Sequence, residues 1–258
     1  FKSFLGTELT DLNSSILSAK EGNLEVNFKV CKYQDFENII KNLSDYCVFN
    51  FAGYNIFKAL FSIYPWFYKN KLIWESRIDF TKNLIEKITK IGNYPKFFVL
   101  PSAVWIYSDS KISDYFRKWE ETLYLLNDKS YKIILRLGIV LDNQSFWIKI
   151  LKRFFYFNIK PVFNKNLSFP FVYLEDILSF ISQSFLLNSK LIFDLSLKEL
   201  NIFDLFSYCT FNDFVNDFIL KNYPSKRFFS VYIGDFLMDL LFKDYYKAMF
   251  LDLKNLKD

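Results

Sequence analysis

Residues 96–141, KFFVLPSAVWIYSDSKISDYFRKWEETLYLLNDKSYKIILRLGIVL, carry the pattern that decides the fold. KFFVLPSAVWIY (96–107) is apolar almost throughout, as a strand buried on both faces must be. YFRKWEETLYLL (115–126) sets its apolar residues among charges at helical spacing, and YKIILRLGIVL (131–141) reads as a second buried strand. Strand, helix and strand in this order predict a crossover unit, the connection that joins parallel strands.

The alternation extends upstream. SRIDFTKNLIEKITKI (76–91) predicts an amphipathic helix, and YCVFNFAG (46–53) predicts a short apolar strand ending at Gly53. Asp35 opens a helix with Phe36, Ile39, Ile40 and Leu43 on one face. LEVNFKV (24–30) alternates as a strand, while Leu9, Leu12, Ile16 and Leu17 recur at helical spacing after Gly6. The fold class is therefore α/β, a Rossmann-like doubly wound parallel sheet with helices on both faces and a small C-terminal α/β subdomain. No strand precedes the turn at Gly6, although the first strand of such a sheet lies near its middle. Without it the neighbouring strands' backbone groups would lack partners, so that strand is expected upstream of Phe1.

Composition excludes several chemistries. With no histidine, neither a Ser-His-Asp or Cys-His nucleophile nor a histidine metal site can be built. Cys31, Cys47 and Cys209 show no C-x-x-C spacing, which removes zinc and dithiol motifs, and their odd number suits a reducing compartment. Cys47, inside YCVFNFAG, reads as a small buried hydrophobe. The net charge of +5 comes with scattered lysines, which permits RNA binding without indicating it. No stretch reaches the about 18 apolar residues of a membrane span, so no transmembrane segment is expected. The chain holds 33 Phe and 17 Tyr but 6 Gly, a bias that A/T-rich coding explains and that erodes glycine motifs.

Several stretches in order along the chain resemble the atypical extended short-chain dehydrogenase/reductases known as epimerase family proteins. They are FLGTEL (4–9), NFAGYNI (50–56), SRIDFTKNLIEKI (76–88), SAVWIYSD (102–109), KWEET (118–122), LRLGIVL (135–141), FVYLEDIL (171–178) and PSKRFFSVYIGDFLMDLLF (224–242). The last is similar to that family's closing helix. The resemblance implies an NAD(P)-binding Rossmann domain over residues 1–141, with 171–195 returning to it. Residues 142–170 and 196–258 would form the substrate and closing subdomain. In the turn G-x-x-G-x-x-G, Gly6 takes the third glycine position and Ser3 the second, where a pyrophosphate meets a helix N-terminus. Asn50, Ala52 and Gly53 would border the riboses of the dinucleotide. Lys29 and Lys32 stand where an acid would bind the 2′-hydroxyl of NAD, so NADP is the expected cofactor if a cofactor is held, with two solvated lysines as the alternative.

The departures from the family bear on function. Active extended members carry Tyr-x-x-x-Lys on the helix after the serine strand, the lysine lowering the tyrosine pKa for acid–base work. Counting back from Glu120 places that pair at Ile112 and Phe116, both apolar. The literal match at Tyr107 and Lys111 falls where the chain leaves the strand, and reads as coincidence. Ser102 is the remaining catalytic candidate, its alternative being a strand-end hydroxyl bonded to backbone. In the substrate loop NIKPVFNKNLSFPFVYLED (158–176) the family's glycines are gone, and Tyr173 stands in place of a histidine. Ile159, Lys160, Phe163 and Lys165 add side chains where substrate would lie.

SFWIKILKRFFYFNIK (145–160) predicts a helix with Phe146, Ile150, Phe154, Trp147, Leu151 and Phe155 on a wide aromatic face and Lys149, Lys152 and Arg153 opposite. That face either closes the small subdomain or docks a partner, protein or RNA. Two function classes follow. One is a degenerate Rossmann protein serving as a non-catalytic accessory or assembly subunit of a larger complex, with partner-facing rings at 146–163 and around Phe228, Phe229 and Tyr232. The other is an active NADP-dependent oxidoreductase or epimerase on a sugar-nucleotide-like or carbonyl substrate, with Ser102 assisting. No metal is expected in either. An organelle, mitochondrion or plastid, is the expected setting, with the cytoplasm as the alternative.

Overall fold

The computed structural model describes residues 16–21, 24–29, 35–44, 46–53, 71–163, 168–186 and 200–234. The chain begins there with a hairpin, β1 (Ile16–Glu21) against β2 (Leu24–Lys29), antiparallel and in register from Ile16 opposite Lys29 to Glu21 opposite Leu24. A strand is present at 24–29, but in this separate antiparallel hairpin and not in the parallel sheet where it was expected, and Ile16 and Leu17, assigned to a helix by their spacing, lie in a strand. Pairing along six residues outweighs the weak helical period of so short a segment.

After α1 (Phe36–Ile40) comes β3 (Cys47–Phe49), the first described strand of a four-stranded parallel sheet. A π turn at Glu75–Asp79 leads into α2 (Phe80–Ile91), which ends at Gly92 with φ of 75°. Then follow β4 (Phe97–Ala103), a 3₁₀ turn (Val104–Tyr107), α3 (Lys111–Glu121) and β5 (Tyr131–Leu137), so the predicted crossover is present. Beyond them β6 (Ile139–Leu141), α4 (Phe146–Tyr156), β7 (Ile159–Val162), β8 (Ser168–Tyr173) and α5 (Leu174–Leu186) lead to β9 (Leu200–Leu205). The large sheet has the order β3-β4-β5-β9. Leu200–Leu205, allotted from sequence to the small subdomain, thus belongs to the large sheet beside β5.

Both faces of this sheet are covered, as a doubly wound fold requires. On one face Phe98, Leu100 and Ile134 pack with Leu84, Ile85 and Ile88 of α2 and with Ile112, Phe116 and Trp119 of α3. On the other, Phe97, Val99, Ile133 and Leu135 meet Ile177, Phe180 and Ile181 of α5. Cys47 is exposed, not buried as its apolar neighbours suggested, because alternation on β3 gives the core to Val48.

The run 131–141 is not one strand. Gly138 separates β5 from β6, which leaves the large sheet to pair with β8, and β8 pairs in turn with β10 (Ser207–Thr210). The chains cross so closely that a Cβ at Gly138 would lie 2.8 Å from the Phe171 backbone. Gly138→Ala is expected to cost about 1–3 kcal/mol, because backbone cannot rotate aside as a side-chain tip can. A urea midpoint equal to wild type would refute this.

The smaller unit adds α6 (Phe211–Asn222) and β11 (Phe229–Tyr232). Of the stretch 224–242 expected to resemble the family's closing helix, residues 229–232 form the strand β11, parallel to β7 with Phe229 opposite Ile159 and Tyr232 opposite Val162, and residues 235–242 lie outside the described residues. Trp147, Leu151 and Phe155 of α4 join Phe169, Phe211 and Phe214 in a core continuous with one face of the large sheet. Phe155, expected to face a partner, is 0% exposed and packs against Phe218, Tyr223 and Phe228.

Candidate functional site

Parallel strands in an open α/β sheet present their carboxyl ends to a common crevice. Ser102 near the end of β4, Arg136 on β5 and Asp204 on β9 lie in one register row, Ser102 opposite Arg136 and Arg136 opposite Asp204. Alternation along each strand puts all three on the face covered by α3.

Charge organises this row. Arg136 holds Glu120 of α3 in a two-pronged ion pair, Nε to Oε1 at 3.0 Å and Nη2 to Oε2 at 2.7 Å, with both side chains nearly buried. Its Nη1 donates to the Tyr107 hydroxyl at 2.8 Å, and its guanidinium lies 5.1 Å from that ring's centre. The Tyr107 hydroxyl in turn reaches both carboxylate oxygens of Asp204, at 2.9 and 2.8 Å. Burial raises the Tyr107 pKa, the Asp204 carboxylate raises it further, and Arg136 opposes them incompletely. In the literal Tyr107–Lys111 match, Lys111 is exposed at the start of α3, while the Tyr107 phenol bonds to Arg136 and Asp204 and holds its proton more tightly than an ordinary phenol. Titrating the absorbance at 295 nm should place Tyr107 above an ordinary phenol. Because the folded state keeps this proton longer than the unfolded chain, stability should fall as pH rises beyond about 10. Ionisation of Tyr107 below that point would contradict the arrangement.

The sequence-derived positions fare differently. Ile112 and Phe116 are 3% and 2% exposed, and Phe116 packs against Trp74, Trp105 and Trp119 at 5.0, 5.8 and 6.2 Å between ring centres. Where a tyrosine and lysine would meet substrate, this chain has an aromatic core. Ser102 is 5% exposed, and its Oγ has no hydrogen-bond partner among the described residues. The expected bond from Ser102 to backbone is absent there. Asn50 is committed within the fold: its Nδ2 donates to Thr81 Oγ1 at 2.8 Å, and its Oδ1 accepts from the Ala52 amide at 3.3 Å. Thr81 Oγ1 also accepts from Trp119 Nε1 at 2.9 Å, tying the end of β3 to α2 and α3. At Gly53 an added Cβ would lie 2.9 Å from the Arg77 guanidinium carbon. Lys29 ends β2, whereas Ser3, Gly6, Lys32 and Lys165 lie outside the described residues.

The orphaned hydroxyl of Ser102 suits a polar ligand group, whereas Arg77 beside Gly53 already donates to the Ile73 carbonyl at 3.0 Å and lies over the Trp119 ring. A cleft of about 260 Å³ lies beyond Asp204, lined by Phe171, Tyr173, Asp176, Phe206 and Ser207 among others. Tyr173, the residue in the family's histidine position, therefore does face a cavity. Its phenol is pushed up by burial and then by nearby Cys209, Asp176 and Asp217. Sequence reasoning missed Arg136, Glu120 and Asp204 as a set. The available signal was a charge inside each of two apolar strands, which requires a partner. Among the described residues no group of His, Cys, Asp and Glu could hold a metal ion, and no helix is long and apolar enough to cross a membrane.

No family model matches the chain, and no curated protein matches it. Solved structures do. Human epimerase family protein SDR39U1 (isoform 2) with NADPH is similar over 85% of this chain and 79% of that one, at 18% identity and a TM-score of 0.65. The dTDP-4-dehydrorhamnose reductase of Bacillus anthracis with NADP is similar over 78% and 70%, at 11% identity and 0.57. The NAD-dependent NDP-hexosamine 5,6-dehydratase TunA is similar over 86% and 79%, at 11% identity and 0.53. The chain shares the fold of these structures, a Rossmann-like α/β arrangement around a parallel sheet.

Proposed function

We propose that this chain is a Rossmann protein that has given up acid–base catalysis and serves as an accessory or assembly subunit of a larger complex, with nucleotide binding optional. The observation that carries the reading is the burial of Ile112 and Phe116 in the aromatic core. General acid–base catalysis supplies about 10²–10⁴-fold of rate, and neither Ser102 nor the proton-holding Tyr107 replaces a tyrosine activated by lysine. Exposed aromatic residues at Tyr156, Phe157, Phe229 and Tyr232 supply the surface for assembly.

One observation favours the second reading, an NADP-dependent oxidoreductase or epimerase on a sugar-nucleotide-like or carbonyl substrate. The hydroxyl of Ser102 is buried and has no hydrogen-bond partner among the described residues, which supports a role in holding a substrate. Asn50, Ala52, Gly53 and Ser102 would then border the cofactor, which supplies hydride when bound. NADP is preferred to NAD on Lys29 and Lys32 in the sequence. Native mass spectrometry of the protein from its own cells tests the two readings together. A heteromeric mass is expected, whereas a chain carrying NADP(H) alone and turning it over would overturn the proposal.

A further inference from the structure

Acidic residues are absent from two long stretches, Asn143–Leu174 and Phe218–Gly234, which between them hold eight lysines and arginines. The whole chain carries +5, so the remainder is on balance acidic. The two stretches meet in space. The Phe229 amide donates to the Asn158 carbonyl at 2.8 Å, β11 runs beside β7, and Lys226 Nζ caps the end of α4 through the Phe155 carbonyl at 2.6 Å. On α4, Lys149, Lys152, Arg153 and Tyr156 follow one another at helical spacing and all are exposed. None of Lys149, Lys152, Arg153 and Arg227 has an ion-pair partner among the described residues. At the end of α4 stand Tyr156 and Phe157, ring centres 5.2 Å apart, and on β11 next to Asn158 stands Phe229, with Tyr156 at 78% and Phe229 at 76% exposure.

We infer that this edge binds a single-stranded nucleic acid, its phosphates along the cations and its bases stacked on the exposed rings. The inference deepens the assembly reading by naming the partner's chemistry. Cationic grooves with aromatic platforms recognise single strands in this way, whereas duplexes offer no free base faces. A lipid surface fits less well. The apolar side of α4, with Trp147, Ile148, Leu151 and Phe155, is spent on the core, which leaves no apolar helix face to enter a membrane.

The test is fluorescence anisotropy of the full chain with a labelled 20-nucleotide oligo(U) RNA, with oligo(dT), polyglutamate and phosphatidylserine vesicles as further arms. A dissociation constant on the order of 10⁻⁶ M at low salt is expected, with a slope of log K against log salt near about −3 for four neutralised phosphates. Lys152→Glu with Arg153→Glu should weaken binding at least about tenfold and flatten that slope by more than about 1. Phe157→Ala with Phe229→Ala should weaken it about tenfold and leave the slope unchanged. Circular dichroism confirms that both variants fold, and the wild-type salt slope needs no variant at all. Binding of either oligonucleotide with these losses supports the inference, and the sugar preference tells RNA from DNA. Failure to bind either strand, equal binding of polyglutamate, or preference for the vesicles overturns it. Because the assay involves no NADPH, its failure is separate from a failure of the non-catalytic reading.

Discussion

Restoring the missing catalytic pair, Ile112→Tyr with Phe116→Lys, is expected to unfold the domain without producing turnover. Phe116 fills a space bounded by Trp74, Trp105 and Trp119, and removing such a ring costs about 3–5 kcal/mol. An unpaired ammonium left in that space adds several kcal/mol of lost hydration. Total stability is commonly about 5–15 kcal/mol, so the two penalties consume most of it. Circular dichroism should show loss of the cooperative transition. A folded double variant that oxidises NADPH would mean that α3 still faces a working site.

Arg136→Met should cost about 3–5 kcal/mol, because it strips the Glu120 carboxylate of both its donors while leaving it buried. The pair itself is a poor source of net stability, since desolvating two ions nearly cancels their attraction. Arg136→Met with Glu120→Met is therefore expected to recover most of the loss. The single variant should also raise the Tyr107 pKa further, since Arg136 is the group that lowers it. Equal urea midpoints for wild type and Arg136→Met would show the ion pair to be solvated and the network loose.

These two experiments probe what the sequence concealed. The crossover over 96–141 was legible because strands buried on both faces read as unbroken apolar runs. For the same reason the break at Gly138 was hidden, since β5 and β6 are both buried and only one glycine stands between them. The hairpin at 16–29 ran against the spacing of Ile16 and Leu17 because its pairing partner, not its own period, fixes its state. On α4 aromatic residues surround most of the helix, so sequence could not say that Phe155 is buried while Tyr156 and Phe157 are exposed. The missing Tyr-x-x-x-Lys could be read directly. That Ile112 and Phe116 belong to a packed core, and that Tyr107 answers to Arg136 and Asp204 rather than Lys111, depended on side chains brought together from α3, β5 and β9.

The central claim, that the scaffold persists without its acid–base chemistry, is tested most directly by NADPH oxidation at 340 nm across a panel of sugar nucleotides and carbonyl compounds, wild type beside Ser102→Ala. The expected result is no oxidation above the protein-free rate in either sample. Oxidation by the wild type that disappears in Ser102→Ala would contradict the claim and make Ser102 a catalytic residue.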